Sequence, residues 1–281
     1  MEPLPKFKSE KIFGRNACRA VWKQRPQDIM RAALTKDMLT AFSECLRDLA
    51  DNKVSYRVVD DEELCKIAGS DHHEGICFQV RARKFLGEES IRDVIEKDNV
   101  VVCLDGVGNP HNFGALVRSA VNFGVKTILG DEELPSLSGA GSRVSEGASE
   151  FIDLLKVDDI VDALADFRDG GFKLYALDNK GGKSLYDTEF PRKSLFIMGA
   201  EGKGISSGLK KLADGIITIP GTGSVESLNV SVAAGLVLGE YWRQSENLKD
   251  NRPSSTSGGK KSLPKQDWSS RQFSGRKNFR K

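Results

Sequence analysis

Residues 216–240 read IITIPGTGSVESLNVSVAAGLVLGE. An apolar run of Ile216, Ile217 and Ile219 stops at Pro220, and a loop holding Gly221, Gly223 and Ser224 leads into an apolar helix from about Leu228. Strand, polar loop and helix start in that order gather free backbone N–H groups and small hydroxyls at one point, which suits the carboxylate and ribose of a nucleoside-type ligand. Ser224, Ser227 and Asn229 fall at that point. Taken alone, Ser227 or Asn229 is accounted for as a helix N-cap in an α/β domain.

Outward from this stretch, the second half of the chain repeats one alternation. VVVCLDGV is an almost uninterrupted apolar run, the kind of strand that lies buried on both faces of a parallel sheet. A helix from about Asn112 follows, then KTILG, a helix around SRVSEGASE, FIDLLK, DDIVDALADFRDG, KLYALD, SLFIMG, SSGLKKLAD, GIITIP and the last helix. Strands alternating with helices predict a parallel sheet covered on both faces, with ligands beyond the carboxyl ends of its strands. The fold class expected is α/β.

Three loops occupy those ends. The first lies in LDGVGNPHNFGALVRSA, where Pro110 stops the strand and Asn112 can cap a helix that carries Arg118. The second is FIMGAEGKGIS, with Gly199, Glu201, Gly202 and Gly204; the third is the opening stretch. GAEGKG lacks the G-x-G-x-x-G register of a dinucleotide loop and the G-K-[ST] of a Walker loop, so a nucleotide-phosphate site is disfavoured. What is left offers an acid, an arginine, two asparagines and serines, without metal ligands or a Ser–His–Asp set.

Residues 12–84 predict a smaller α/β unit: FGRNACRAVWKQ as an amphipathic helix, IMRAALT a strand, DMLTAFSECLRDLADN a helix, VSYRVVD a strand, DEELCKIAG a helix and ICFQVRAR a strand. Residues 1–11 read as a flexible lead-in, 85–97 as a connection between domains, and 98–245 as the second domain. The pair His72–His73 has no third ligand at useful spacing, so no metal is expected; the loop is open to a turn role or a substrate contact.

Five scattered cysteines, none in C-x-x-C spacing, indicate neither a disulfide framework nor a zinc site. With no 18-residue apolar run and no signal-peptide core at the N-terminus, the expected location is cytoplasmic. The net charge of +2 is uneven: residues 246–281 hold ten Lys/Arg against three Asp/Glu, which leaves the preceding 245 residues at −5. That tail is expected to be disordered; it either serves solubility alone or, as the spacing of Trp268, Phe273 and Phe279 among its cations favours, supplies non-specific RNA affinity.

NPHNFGALVRSA, MGAEGKGIS and IPGTGSVESLNVSVAAG, in this order, resemble the three motifs of the SpoU/TrmH branch of the SPOUT RNA methyltransferases. FGRNACRAV and HHEGI resemble that family's ribosomal-protein-like RNA-recognition domain, with Glu74 where the family loop usually has Gln. The resemblance covers about residues 12–245. It implies a C-terminal trefoil knot, a homodimer with its site at the subunit interface, and S-adenosylmethionine held by main-chain groups of Gly199, Ile219 and Leu228. It implies transfer of a methyl group to a ribose 2′-hydroxyl in RNA, ribosomal RNA being favoured over tRNA by the two-domain layout. Arg118 would act at that hydroxyl, Asn112, Ser224 and Asn229 would hold the ribose and its phosphate, and Glu201 would orient the Arg118 side. Two rivals stand beside this: an RNA-binding or ribosome-assembly factor that keeps the fold without methyl transfer, and a methyltransferase acting on a base or a protein. The last helix, with Tyr241 and Trp242 extending its apolar surface, fits an obligate interface.

Overall fold

The computed structural model describes residues 8–250 except Glu201, and for 246–250 the backbone alone. The first domain consists of β1 (Ser9–Phe13), α1 (Arg15–Gln24), β2 (Ile29–Leu34), α2 (Ser43–Asp51), β3 (Tyr56–Val58), α3 (Asp61–Ala68) and β4 (Ile76–Arg81). Its sheet has the order β1-β4-β2-β3, with β4 antiparallel to both β1 and β2 and β3 parallel to β2. One face packs Ile12, Leu34 and Phe78 against Val21 of α1 and Leu49 of α2. The other packs Phe13, Ala33 and Cys77 against Leu64 and Ala68 of α3.

Two expectations are corrected here. The lead-in is not flexible throughout, because β1 begins at Ser9 and pairs along its whole length with β4, Ser9 opposite Arg81 and Phe13 opposite Cys77. Only Ile12 and Phe13 of that strand are buried, so its sequence lacks the alternation that marks a strand. The helix expected from Asp37 is confined to Ser43–Asp51, since residues 36–38 form a 3-10 turn and Phe42 stands at the helix start.

The second domain runs α4 (Ile91–Lys97), β5 (Val100–Asp105), α5 (Pro110–Asn122), β6 (Thr127–Gly130), α6 (Gly139–Val144), β7 (Asp153–Lys156), α7 (Ile160–Asp169), β8 (Lys173–Leu177), β9 (Lys183–Ser184), β10 (Ser194–Gly199), α8 (Ser207–Leu212), β11 (Gly215–Thr218) and α9 (Val230–Asp250). Its seven strands are all parallel, in the order β7-β6-β5-β10-β8-β11-β9. Successive side chains of a strand face opposite sides. Val100, Val102 and Leu104 of β5, with Phe196 and Met198 of β10, therefore pack under α5 and α9, while Val101, Cys103, Leu195 and Ile197 pack under α4, α7 and α8.

The connection 85–97 is part of this body rather than a spacer: Leu86 bridges Leu155, and Ile91 and Val94 enter the core. The two-residue β9 carries no sequence signal of its own. It places β11 between β8 and β9, so that segment 178–182 crosses over the end of β11, tied by Asp178 N to Ile217 O at 3.0 Å and Gly182 N to Thr218 Oγ1 at 3.1 Å. A side chain at Gly182 would lie 2.8 Å from Ile216 O, so the crossing depends on glycine there. The last helix runs to Asp250, beyond the expected end of the domain at 245, and the rest of the basic tail lies outside the described residues.

Candidate active site

The carboxyl ends of β5, β10 and β11 each open into one of the three loops. After β5 the chain turns at Gly106, with φ 71°, and enters α5 at Pro110. The cap is Asn109, whose Oδ1 accepts from His111 N at 2.9 Å and Asn112 N at 3.3 Å, and Pro110 is the first helical residue. Proline suits that position because its missing N–H would be unpaired anyway. Asn112 was expected as the cap; Asn109 takes that role, and the Asn112 side chain is free to project from the first turn.

Asn112 uses that freedom. Its Oδ1 accepts from Asn229 Nδ2 at 3.0 Å, across 117 positions of sequence. Asn229 Oδ1 in turn accepts from Ser231 N at 2.9 Å and Ser231 Oγ at 2.5 Å, at the start of α9. The residue thus caps α9 and joins the first loop to the third. The strand of the opening stretch ends at Thr218 and the helix begins at Val230, so Ile219 and Leu228 both belong to the loop.

Residues 220–229 are all exposed. Ser224 bonds within its own loop, its Oγ accepting from Thr222 Oγ1 at 3.0 Å, and Glu226 O accepts from Asn179 Nδ2 at 3.1 Å, which ties the loop to the crossing segment. Arg118 is exposed on α5 and makes no hydrogen bond or ion pair among the described residues. Six residues along an α-helix are about 9 Å and a third of a turn away from Asn112. Arg118 and Asn112 thus leave α5 on different sides.

In the second loop Ala200 N donates to Asp105 O at 2.9 Å and Gly204 N to Ala200 O at 2.8 Å, so the chain folds back on Gly199. A side chain at Gly199 would stand 2.2 Å from the Gly204 carbonyl carbon. Gly202 and Gly204 take left-handed φ values of 83° and 67°. Glu201 lies outside the described residues. Asp105 Oδ2 accepts from Ser206 N at 2.7 Å, and this acid, which the sequence reading passed over, links the ends of β5 and β10.

Around the crossing segment, burial would raise the Asp178 carboxyl, but its hydrogen bond and ion pair with Lys210 hold it below the ordinary value. Tyr241 differs from expectation: it turns inward, donates to Arg192 O at 2.6 Å, and burial pushes its hydroxyl up to about 12. The exposed apolar residues of α9 are Val232, Leu236 and Trp242, and Leu228 is exposed in the loop before it.

The His72–His73 loop also gains partners that its sequence does not announce. His73 is buried, with Nε2 3.3 Å from Cys65 Sγ and 3.6 Å from Asp61 Oδ1, both on α3. Asp61, Cys65 and His73 are thus a group with metal-ligand character that folding assembles. Gly75 N donates to His73 Nδ1 at 3.1 Å. A neutral ring that accepts at Nδ1 carries its proton on Nε2, so it meets the thiol and carboxylate as a donor. Burial and the carboxylates of Asp61, Asp71 and Glu62 push the Cys65 thiol up, which favours the neutral thiol in this arrangement.

A parallel sheet with linked amides and open main-chain groups at its carboxyl edge, and an exposed arginine further along the helix that follows β5, stands beside a small mixed-sheet domain, and in such sheets ligands bind at the strand ends. Residues 99–239 match the SpoU rRNA methylase family, and residues 11–86 match the RNA 2′-O ribose methyltransferase substrate-binding domain. The chain belongs to the SpoU family of RNA 2′-O-ribose methyltransferases. It is 36% identical over 236 residues to the uncharacterized tRNA/rRNA methyltransferase YfiF of Escherichia coli O157:H7, covering 84% of this chain and 68% of that one. It is 32% identical over 244 residues to the 23S rRNA (guanosine-2′-O-)-methyltransferase RlmB of Shewanella oneidensis, covering 84% and 98%. The fold is shared with the SpoU methyltransferase AviRb of Streptomyces viridochromogenes in complex with AdoMet, at TM-score 0.70, 20% identity and coverage of 85% and 91%.

Proposed function

We propose that this chain methylates a ribose 2′-hydroxyl of ribosomal RNA with S-adenosylmethionine as donor, in the cytoplasm and as a homodimer. The observation that carries the site assignment is the Asn229–Asn112 hydrogen bond, which joins two motif loops that the chain separates by 117 residues. Preference for ribosomal RNA rests on the relatives named RlmB, which the chain matches over nearly their full length.

The donor's fit is supported by the loops themselves. A side chain at Gly108, Gly202, Gly204, Gly221 or Gly223 would meet nothing within 4 Å, so the backbone at the strand ends is open to a ligand. Gly199, Ile219 and Leu228 are the residues whose main chain would hold it, and the threading of β11 under segment 178–182 supports the trefoil knot in which it would lie bent. When bound, S-adenosylmethionine supplies an electrophilic methyl group. Asn112, Asn229 and Ser224 hold the ribose and its phosphate in line with that methyl, where positioning supplies most of the rate. Arg118, always charged and so a poor base, stabilises the negative charge that develops on the ribose oxygen as its proton passes to solvent and the methyl leaves the sulfonium sulfur. Glu201 orients the Arg118 side.

Dimerisation is supported by α9, whose outward Val232, Leu236 and Trp242 are 50%, 39% and 45% exposed. Val232 and Leu236, four residues apart, share one face of the helix and offer apolar surface to a partner. The side chain of Arg118, on the α5 helix that packs against α9, has no hydrogen-bond or ion-pair partner among the described residues, in keeping with a role completed by the second subunit.

The test is methyl-labelled S-adenosylmethionine with total RNA from cells lacking the gene. Label in 2′-O-methyl nucleosides supports the assignment. Label in a base points to a different acceptor, and no label with RNA still bound points to an assembly factor.

A further inference from the structure

The two domains meet along a seam between α1 and the α6 region. Arg25 is buried there, donating from Nε to Glu150 Oε2 at 2.7 Å, from Nη2 to Glu10 Oε1 at 3.3 Å and from Nη1 to Arg81 O at 2.7 Å. Beside this fixed pairing lie two glutamates in left-handed backbone, Glu74 with φ 52° and Glu146 with φ 53°. A non-glycine residue pays strain in that region, and it persists only where surrounding contacts hold it.

Each of the two reaches into the other domain. Glu146 Oε2 accepts from Asn16 Nδ2 at 2.6 Å. Glu74 Oε1 stands 3.5 Å from Arg143 Nη1, while its Oε2 accepts from Arg15 N at 3.0 Å and its carbonyl from Arg15 Nε at 3.3 Å. Glycines close the seam: Gly14 lies against the Arg143 side chain, and a side chain at Gly147 would stand 2.8 Å from Ala20 Cβ. From Arg143 the path to the site is short. Gly141, one residue past Ala140 in the same helix, packs on α5, where a side chain at Gly114 would stand 2.6 Å from Gly141 O and one at Gly141 3.6 Å from Pro110 O. Pro110 opens the turn that presents Asn112.

We propose that Glu74 is a positioning residue for methyl transfer: through its ion pair with Arg143 it fixes the first domain on α6 and so sets the first turn of α5 against RNA held by that domain. This rests on the methyl-transfer reading. Glu74→Gln keeps an amide oxygen as acceptor for Arg15 N and removes the ionic link to Arg143.

The experiment compares wild type, Glu74→Gln, Arg143→Ala and the double variant as full chains, with ribosomal RNA from cells lacking the gene as probe. Each single variant is expected to lower kcat about tenfold, the loss that follows from a small misplacement at a reacting centre, with KM for RNA and affinity for S-adenosylmethionine within about twofold of wild type. The double variant should be no worse than the poorer single one. Independently of activity, hydrogen exchange at Ser145 and Glu146 N–H, bonded to Gly141 O and Arg143 O, should quicken about tenfold in both single variants while exchange in β10 stays unchanged. Unchanged kcat in the single variants, or additive losses in the double, overturns the proposal even if exchange quickens. If wild type methylates no RNA, the methyl-transfer reading fails first. Unchanged exchange in the variants then overturns the seam role, and quickened exchange supports it.

Discussion

Strand β10 and loop 220–229 lie on the same domain and are opposite in construction. Ser194 to Met198 of β10 are buried on both faces, whereas every residue from Pro220 to Asn229 is exposed. The strand is held by what the chain can bury. The loop is held by a few polar ties, chiefly Asn229 to Asn112 and Asn179 to Glu226. The contrast teaches that burial fixes the scaffold, while the loop keeps its polar groups and main chain open to solvent.

The largest effect should come from breaking the scaffold. Phe196 is fully buried, its ring 5.2 Å from Phe190 and 5.8 Å from Tyr241 between centroids. Phe196→Ala should cost about 3–5 kcal/mol in chemical denaturation, while Val225→Ala, at a side chain 70% exposed, should leave stability within about 0.5 kcal/mol. Comparable losses at both positions would erase the contrast.

Next in size is a change that spares the scaffold and strikes chemistry. Arg118→Ala should keep fold and S-adenosylmethionine affinity but lower methyl transfer about 10²–10³-fold, the usual cost of removing a positioned transition-state charge. Near-normal turnover would remove Arg118 from the site.

The buried central strands and the motif order were legible in the chain, for a physical reason. VVVCLDGV and SLFIMG are apolar on both faces because each face meets a helix layer, and such runs announce themselves. β1 and β9 were not legible, since one has only two buried residues and the other only two residues in all; their existence comes from partners distant in sequence. At the site, Asn229 could be read only as a cap or a ligand. Its bond to Asn112 joins groups that no local spacing relates. The same holds for His73, whose neighbours Asp61 and Cys65 are brought to it by the packing of α3.

Asn229→Ala sharpens the contrast within one residue. Loss of a helix cap costs about 1 kcal/mol, so a fall in turnover well beyond what that destabilisation explains is expected, measured as kcat with the protein fully folded. A variant that melts a few degrees lower and turns over normally would leave Asn229 as a cap alone.

The smallest effect is at Tyr241, where the scaffold meets solvent pH. Tyr241→Phe removes the single hydroxyl donor, which points to Arg192 O at 2.6 Å, and should cost about 1 kcal/mol at pH 8. The folded hydroxyl titrates near 12 and an unfolded tyrosine near 10, so its contribution is complete below pH 10 and is lost as pH rises through 12. Denaturation of both proteins across pH 8–12 should show the gap narrowing over that window, and a gap that stays constant would contradict this account.

The central proposal is that the amides at the carboxyl edge of the sheet, together with Arg118 of α5, direct a methyl group to one ribose oxygen in ribosomal RNA. Maps of 2′-O-methylation in ribosomal and transfer RNA, compared between cells with the gene, cells without it and cells carrying Arg118→Ala, test it most directly. The account predicts a ribose in ribosomal RNA that is methylated with the wild-type gene and unmethylated in the other two. Identical maps in all three, or a mark restored by Arg118→Ala, would contradict it.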